Sequence, residues 1–217
     1  MAKIGNDNIS GLFGLFLRVR ISSKLNFLAH VYLSGGDPEI LIGNFIADFV
    51  KGRKKDLFPD RIRQGIELHR GIDDFTDHHP VPMRSRRRLQ PKHGKYAGVV
   101  VDLYYDHFLA RHFDEYSSVG LKQFSADTYS TLQARWDILP TQVQAFLPFM
   151  MERNWLLNYA SLEGMERALT GLSRRVAFEN RMDEAVQDLV EHYKAFEDDF
   201  REFFPFVREY VRGRLAG

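Results

Sequence analysis

The chain contains no cysteine. That absence removes disulfides, thiolate zinc sites, iron–sulfur clusters and cysteine nucleophiles from consideration. Net charge is nearly absent as well. Thirty Lys and Arg against 29 Asp and Glu leave +1, so no global field draws the protein to nucleic acid or to a membrane. No stretch approaches the roughly 20 apolar residues that span a bilayer, so stable membrane insertion is not expected. Common catalytic signatures are missing too. There is no G-x-x-x-x-G-K-[ST] phosphate loop, no G-x-G-x-x-G after a strand and no H-E-x-x-H of zinc proteases. There is no G-x-S-x-G nucleophile elbow and no paired E-x-x-H of di-iron bundles.

What is present is a chain of 217 residues, 44% hydrophobic and 13% aromatic, enough for one domain with a sizeable core. Apolar residues recur at spacings of three and four in 38–50, 60–77, 95–113, 121–135, 141–159, 162–176 and 182–204. Glycine and proline punctuate these blocks, at Gly35-Gly36, Gly52, Pro59, Pro80, Pro82, Pro91, Gly94, Gly120 and Pro140. Asp37-Pro38 predicts an N-cap with proline in the first helical position. Asp60 and Thr141 are candidate caps for two later helices. Val99-Val100-Val101 is strand-like by itself, but the D-x-x-x-D pattern and the F-L-A-R-H-F that follow argue for helix. No alternating strand series, internal repeat, low-complexity tract or linker is visible. The chain therefore reads as all-α, a single-domain helical bundle. The terminal segment around Arg208, Arg212 and Arg214 is polar on most sides and is expected to fray.

Two pairs of metal-seeking side chains stand at helical spacing. His69 and Asp73 are four residues apart in E-L-H-R-G-I-D-D. Asp102 and Asp106 are four apart in V-D-L-Y-Y-D-H, with His107 following. Residues four apart share a helix face, and Ile62, Ile66 and Val99 mark those faces as inward. A lone inward His or Asp is ordinarily a cap or a satisfied core group. Here, however, Asp48 ends a third apolar run and His30 a fourth. Buried charge is costly unless paired or metal-bound, so the repetition points to a nitrogen and oxygen cage for one or two divalent cations. Such a cage suits phosphoester hydrolysis, since a bound cation acidifies water and neutralises phosphoryl oxygens. Nearby arginines would hold the remaining oxygens. Locally, charge is uneven. Lys51, Arg53, Lys54 and Lys55 form one basic cluster; Arg84, Arg86, Arg87, Arg88, Lys92 and Lys95 form a second; Arg174 and Arg175 form a third. Each is either a solvated surface or a landing area for an acidic partner.

These residues carry a resemblance. L-N-F-L-A-H-V-Y-L-S from Leu25, G-N-F-I-A-D-F-V-K-G, the H-R-G-I-D-D-F-T-D segment and Y-D-H-F-L-A-R-H resemble, in order, the motifs of the bacterial acyl-carrier-protein phosphodiesterase family, also called acyl-carrier-protein hydrolases. A weaker echo covers Gly164 to Arg175, and the likeness spans about residues 25–205. The resemblance implies a helical fold distantly related to the HD phosphohydrolases. It implies a divalent metal, manganese first, with magnesium or iron as alternatives. It implies hydrolysis of the phosphodiester joining 4'-phosphopantetheine to a serine of acyl carrier protein, in the cytoplasm. Carried over residue by residue, it makes His30, Asp48, His69, Asp73, Asp106 and His107 the metal set, and all but His30 catalytic. Asp74, Asp77 and His112 are weaker candidates. Arg70, Arg174 and Arg175 are expected at phosphate. Because acyl carrier protein is acidic, Lys51, Arg53, Lys54, Lys55, Arg84, Arg86, Arg87 and Arg88 are expected to contact it. Leu25 aligns with the family's initiator methionine. Residues 1–24, including the apolar G-L-F-G-L-F-L-R-V-R-I, are then an extension, either a leader or a gene-start artefact, and residues 25–217 form the catalytic domain. A phosphohydrolase of a small nucleotide or pantetheine-type ester, or a helical module that binds carrier protein without turnover, are the alternative readings.

Overall fold

The structure, a computed structural model, describes residues 27–216; the 1–24 extension lies outside them. Twelve α-helices are defined among the described residues, with no strand. They are α1 (Phe27–Tyr32), α2 (Pro38–Ile46), α3 (Asp60–His78), α4 (Pro80–His93), α5 (Ala97–Arg111), α6 (Phe113–Tyr116), α7 (Leu121–Ala134), α8 (Thr141–Glu152), α9 (Trp155–Asn158), α10 (Leu162–Ser173), α11 (Ala185–Glu191) and α12 (Tyr193–Leu215). Short 3₁₀ turns join several of them, notably Ala47–Phe49 and Gly52–Leu57 between α2 and α3. None of the described helices is long and apolar enough to cross a membrane.

The centre of the bundle is α5. Valines 99–101 are helical after all, and the helix is buried on every side, from Val99 through Asp106 to Ala110. A helix apolar all round has no solvent face to offer, so neighbours must cover it. Among them are α4, α12, α1 and α10. Long α12 presents Phe196, Phe200, Phe203, Phe204, Val207 and Val211 inward at three and four spacing; burying each contributes about 2 kcal/mol. The end expected to fray is held: the chain is helical to Leu215, and Tyr210 stacks on Phe75 at 4.6 Å. A second aromatic cluster joins α1, α2 and α8, where Phe27, Phe45 and Phe146 lie within 4.8 to 6.2 Å of one another.

Asp37 caps α2 as expected, accepting from the Glu39 and Ile40 amides. Asp60 and Thr141 fall one position inside their helices, whose N-caps are Pro59 and Pro140. Helix α4 was not apparent from apolar spacing, because two prolines open it and arginines fill its middle. Proline is tolerated in a first turn, where the His79 ring accepts from the Val81 amide. The inward positions include Ser85, whose hydroxyl bonds Asp199 at 2.6 Å and Tyr105 at 3.1 Å.

The most extensive helix pair, α2 with α3, decides the geometry of the site. A Cβ added at Gly43 would lie 2.0 Å from the Ile62 carbonyl oxygen, and one at Gly65 2.3 Å from that of Ile40. The two backbones therefore touch at a position only glycine permits. Their contact brings Asn44 against His69.

Candidate metal centre

Helix α2 ends at Ile46 and tightens to 3₁₀ over Ala47–Phe49. The carbonyls of a last helical turn need partners from elsewhere. That of Asn44 accepts from His69 Nδ1 at 2.8 Å. The Asn44 side chain does more. Its Oδ1 accepts from His30 Nδ1 at 2.9 Å and lies 3.2 Å from His69 Nδ1. Its Nδ2 donates to the His30 carbonyl at 2.6 Å and to Ser34 Oγ at 3.1 Å. An amide oxygen and a carbonyl can only accept, so both rings carry their proton on Nδ1. Both Nε2 lone pairs are thereby free, and among the described residues neither buried Nε2 has a hydrogen-bond partner.

The two rings stack with centroids 3.9 Å apart and planes 20° from parallel. Carboxylates face their Nε2 edges. Asp73 Oδ1 is 3.3 Å from His30, Asp73 Oδ2 is 3.6 Å from His69, and Asp48 Oδ1 is 3.7 Å from His69. One ligand atom each of His30, His69 and Asp73 lie within 4.8 Å of one another. Burial, then the adjacent His69, hold the His30 pKa below its ordinary value against the pull of Asp73 and Asp48. Burial also disfavours the His69 cation, but Asp48 and Asp73 outweigh it and raise its pKa. Of the two rings, His30 is the one whose surroundings more strongly favour the neutral form. Two buried imidazole nitrogens converging with two partly exposed carboxylates form a donor set that fits a divalent cation of mixed nitrogen and oxygen preference.

Asp106 is placed differently. It is fully buried, and its carboxylate accepts from the amides of Leu28 at 3.0 Å and Ala29 at 2.7 Å. It holds the start of α1 and so fixes where His30 stands. Burial pushes its pKa up to about 8, against the two backbone donors. His107 points away, with Nδ1 on the Tyr159 carbonyl at 2.7 Å and Nε2 on the Tyr193 hydroxyl at 2.9 Å. Asp102 is buried on the same helix. The weaker candidates also sit apart: Asp74 pairs with His78, Asp77 with Arg86, and His112 with Glu197 and Glu115.

The basic residues divide just as clearly. Lys51, Arg53 and Lys54 are exposed in and beside the 3₁₀ turn that follows Asp48. Lys55 pairs with Glu67 at 2.5 Å. Arg84 and Arg88 grip buried Asp199, Arg84 also reaches Glu202, and Arg86 holds Asp77, while Arg87 is exposed. Arg70 donates to the Val50 carbonyl at 2.8 Å, bracing the backbone just past Asp48. Arg174 and Arg175 line a separate cavity beside α10. Asn44 was the residue missed from sequence; its signal was a single amide inside the apolar run of α2.

Comparisons with known proteins bear on the family. The family model described as Acyl carrier protein phosphodiesterase matches residues 25–207. A Photorhabdus laumondii protein named acyl carrier protein phosphodiesterase is 30% identical over 186 residues, covering 85% of this chain and 94% of the relative. An Escherichia coli O6:H1 protein of the same name is 32% identical over 189 residues, covering 85% and 96%. One from Enterobacter sp. is 31% identical over 185 residues, covering 83% and 94%. No solved structure matches the chain.

Proposed function

The chain belongs to the acyl carrier protein phosphodiesterase family, and we propose that it hydrolyses the bond between 4'-phosphopantetheine and the carrier serine, giving apo-carrier and free 4'-phosphopantetheine in the cytoplasm. The observation that carries the site assignment is the stacked His30–His69 pair, with both Nε2 atoms turned to Asp48 and Asp73. A divalent cation held by these four residues, Mn²⁺ by our reading with Mg²⁺ or Fe²⁺ as alternatives, would polarise the phosphoryl oxygens and acidify the attacking water.

The protein's own groups prepare that chemistry. Asn44 fixes both imidazoles with the lone pair outward. Asp48 and Asp73, partly exposed, set carboxylate oxygens beside the two rings. Asp106 acts at one remove, as a positioning residue that anchors α1 beneath His30. We assign His107 a similar supporting role, tying α5 to Tyr159 and Tyr193. Arg70 keeps the turn after Asp48 in place. Lys51, Arg53 and Lys54 are exposed in the segment that follows Asp48, which supports steering of an acidic carrier toward the same edge of the fold.

The test is intact-mass spectrometry of holo-acyl carrier protein incubated with the protein and Mn²⁺, with EDTA and Asp48→Ala as controls. The expected outcome is loss of the phosphopantetheine mass, abolished by both controls. An unchanged carrier mass while calorimetry shows bound Mn²⁺ would refute the carrier-protein assignment and favour a small phosphodiester substrate.

A further inference from the structure

Away from the histidine pair, α5, α8, α9 and α10 enclose a cavity of about 510 Å³. Its walls are apolar, from Leu103, Phe149, Trp155, Tyr159, Ala168 and Leu172. Arg153, Arg167, Arg174 and Arg175 also border it, with Glu166 the one acid. Most arginines elsewhere in the bundle are spent on carboxylates, as Arg61, Arg84, Arg135, Arg181 and Arg201 are. Arg153, Arg167 and Arg174 form no ion pair among the described residues, and Arg175 lies over the Trp155 ring at 5.4 Å. An apolar interior with cationic surroundings suits an uncharged chain delivered by an anionic carrier.

A chain of aromatic contacts runs from the cavity to the neighbour of Asp48. Trp155 of the cavity stacks on Phe146 at 6.3 Å, and Phe146 packs on Phe49 at 5.5 Å, the residue next to Asp48. Leu103 lies on α5, the helix whose Asp106 anchors α1. Tyr159, on the cavity wall, holds His107 through its carbonyl.

We propose that this cavity receives the acyl chain borne on the prosthetic group of a loaded acyl carrier protein, so that the protein distinguishes loaded from unloaded carrier. The inference rests on the function proposed above. A carrier of acyl groups arrives with its arm ending either in a thiol or in a thioester-linked apolar chain. The arm fixes one end at the phosphodiester, and the cavity offers the other end an apolar wall. Each methylene moved from water into such a wall favours binding about fourfold.

The experiment compares kcat/KM for holo-, butyryl- and octanoyl-acyl carrier protein. Gly171 has room for a side chain, since an added Cβ meets nothing closer than Arg175 at 4.0 Å; Gly171→Leu narrows the cavity, and Ala168→Leu narrows it from another position. In the unaltered protein the octanoyl-to-holo ratio of kcat/KM should exceed about tenfold, and both variants should cut that ratio by about tenfold. A ratio near one, or variants that leave it unchanged, would overturn the proposal. Calorimetry with S-octanoyl-4'-phosphopantetheine tests the cavity apart from turnover. Binding weakened in both variants supports it even if no carrier is hydrolysed, and no binding overturns it. Octanoate binding as tightly as the octanoyl arm would assign the cavity to a free fatty acid instead and also overturn it.

Discussion

Replacing Asn44 by leucine would remove the amide while nearly keeping the volume. Asn44 is fully buried, so no water compensates. Its four side-chain contacts are not equally exposed to loss. The His30 carbonyl keeps the Ser34 hydroxyl as a donor at 3.0 Å. His69 keeps the Asn44 backbone carbonyl at 2.8 Å. Only His30 Nδ1 is left buried with nothing to receive its proton. Leaving one such group unsatisfied costs about 2 kcal/mol, and the other lost bonds about 1 kcal/mol together, for roughly 3 kcal/mol in all. The functional loss should be selective in the same way. His30 becomes free to place its proton on Nε2, closing that lone pair to a cation, whereas His69 retains its tautomer. Affinity for Mn²⁺ should fall about 10- to 100-fold, the range seen when an outer partner of a metal ligand is removed. Nitrogen-15 spectra of the two rings, denaturant unfolding and Mn²⁺ calorimetry on one variant read all three effects. If His30 kept its tautomer and the cation bound within about twofold of the unaltered protein, the claim that Asn44 sets the ring would be refuted.

Other perturbations test other links. Gly65→Ala would put a Cβ 2.3 Å from the Ile40 carbonyl oxygen, forcing α2 and α3 apart at a cost of about 3 kcal/mol in unfolding free energy; a variant of undiminished stability would contradict the backbone contact. Asp106 has a folded pKa of about 8 against an ordinary 3.8, so the folded protein holds a proton that the unfolded chain gives up between those values. Its contribution to stability is thus complete below about pH 4 and is lost as pH rises to about 8. Asp106→Asn should flatten that part of the pH–stability profile while lowering stability by about 1 kcal/mol at the acid end, since an amide cannot accept both backbone donors; thermal melts at several pH values would show whether the slope persists. Lys51→Glu with Lys54→Glu should raise KM for carrier protein by about tenfold at low salt with little change in kcat. Equal losses in both parameters would argue against docking at that edge.

Spacing in the sequence marks several residues of the candidate site, and what it leaves open shares a cause. His69 and Asp73 announce themselves by four-residue spacing on an apolar face, and Asp48 and His30 by standing in apolar runs. Asp102, Asp106 and His107 carry the same signal, yet the structure does not bring Asp106 and His107 into the His30–His69–Asp73 group. Spacing identifies a shared face but not what lies opposite it, and opposite Asp106 are two amides 77 and 78 residues earlier. The basic clusters illustrate the point at the surface. Composition counts charges, whereas the partner of Arg84 is an aspartate 115 residues away. Helix α4 escaped because its inward face is interrupted: Val81 and Leu89 alternate with buried Ser85 and His93 among prolines and arginines. Asn44 escaped because an amide's role depends on which ring nitrogens it meets.

The Gly43–Gly65 contact has a consequence for the order in which the protein assembles. Asn44 reaches His30 and His69 across separations of only 14 and 25 residues, through two consecutive helices whose backbones meet directly. Contacts of such low order close early, before loops of many tens of residues have been drawn in. The tie from Asp106 closes far later in sequence terms. All four cage residues lie between positions 30 and 73, and their final alignment waits on the Asp106 tie from α5. Cation affinity should accordingly rise in two stages during refolding, the second reporting the moment the central helix docks.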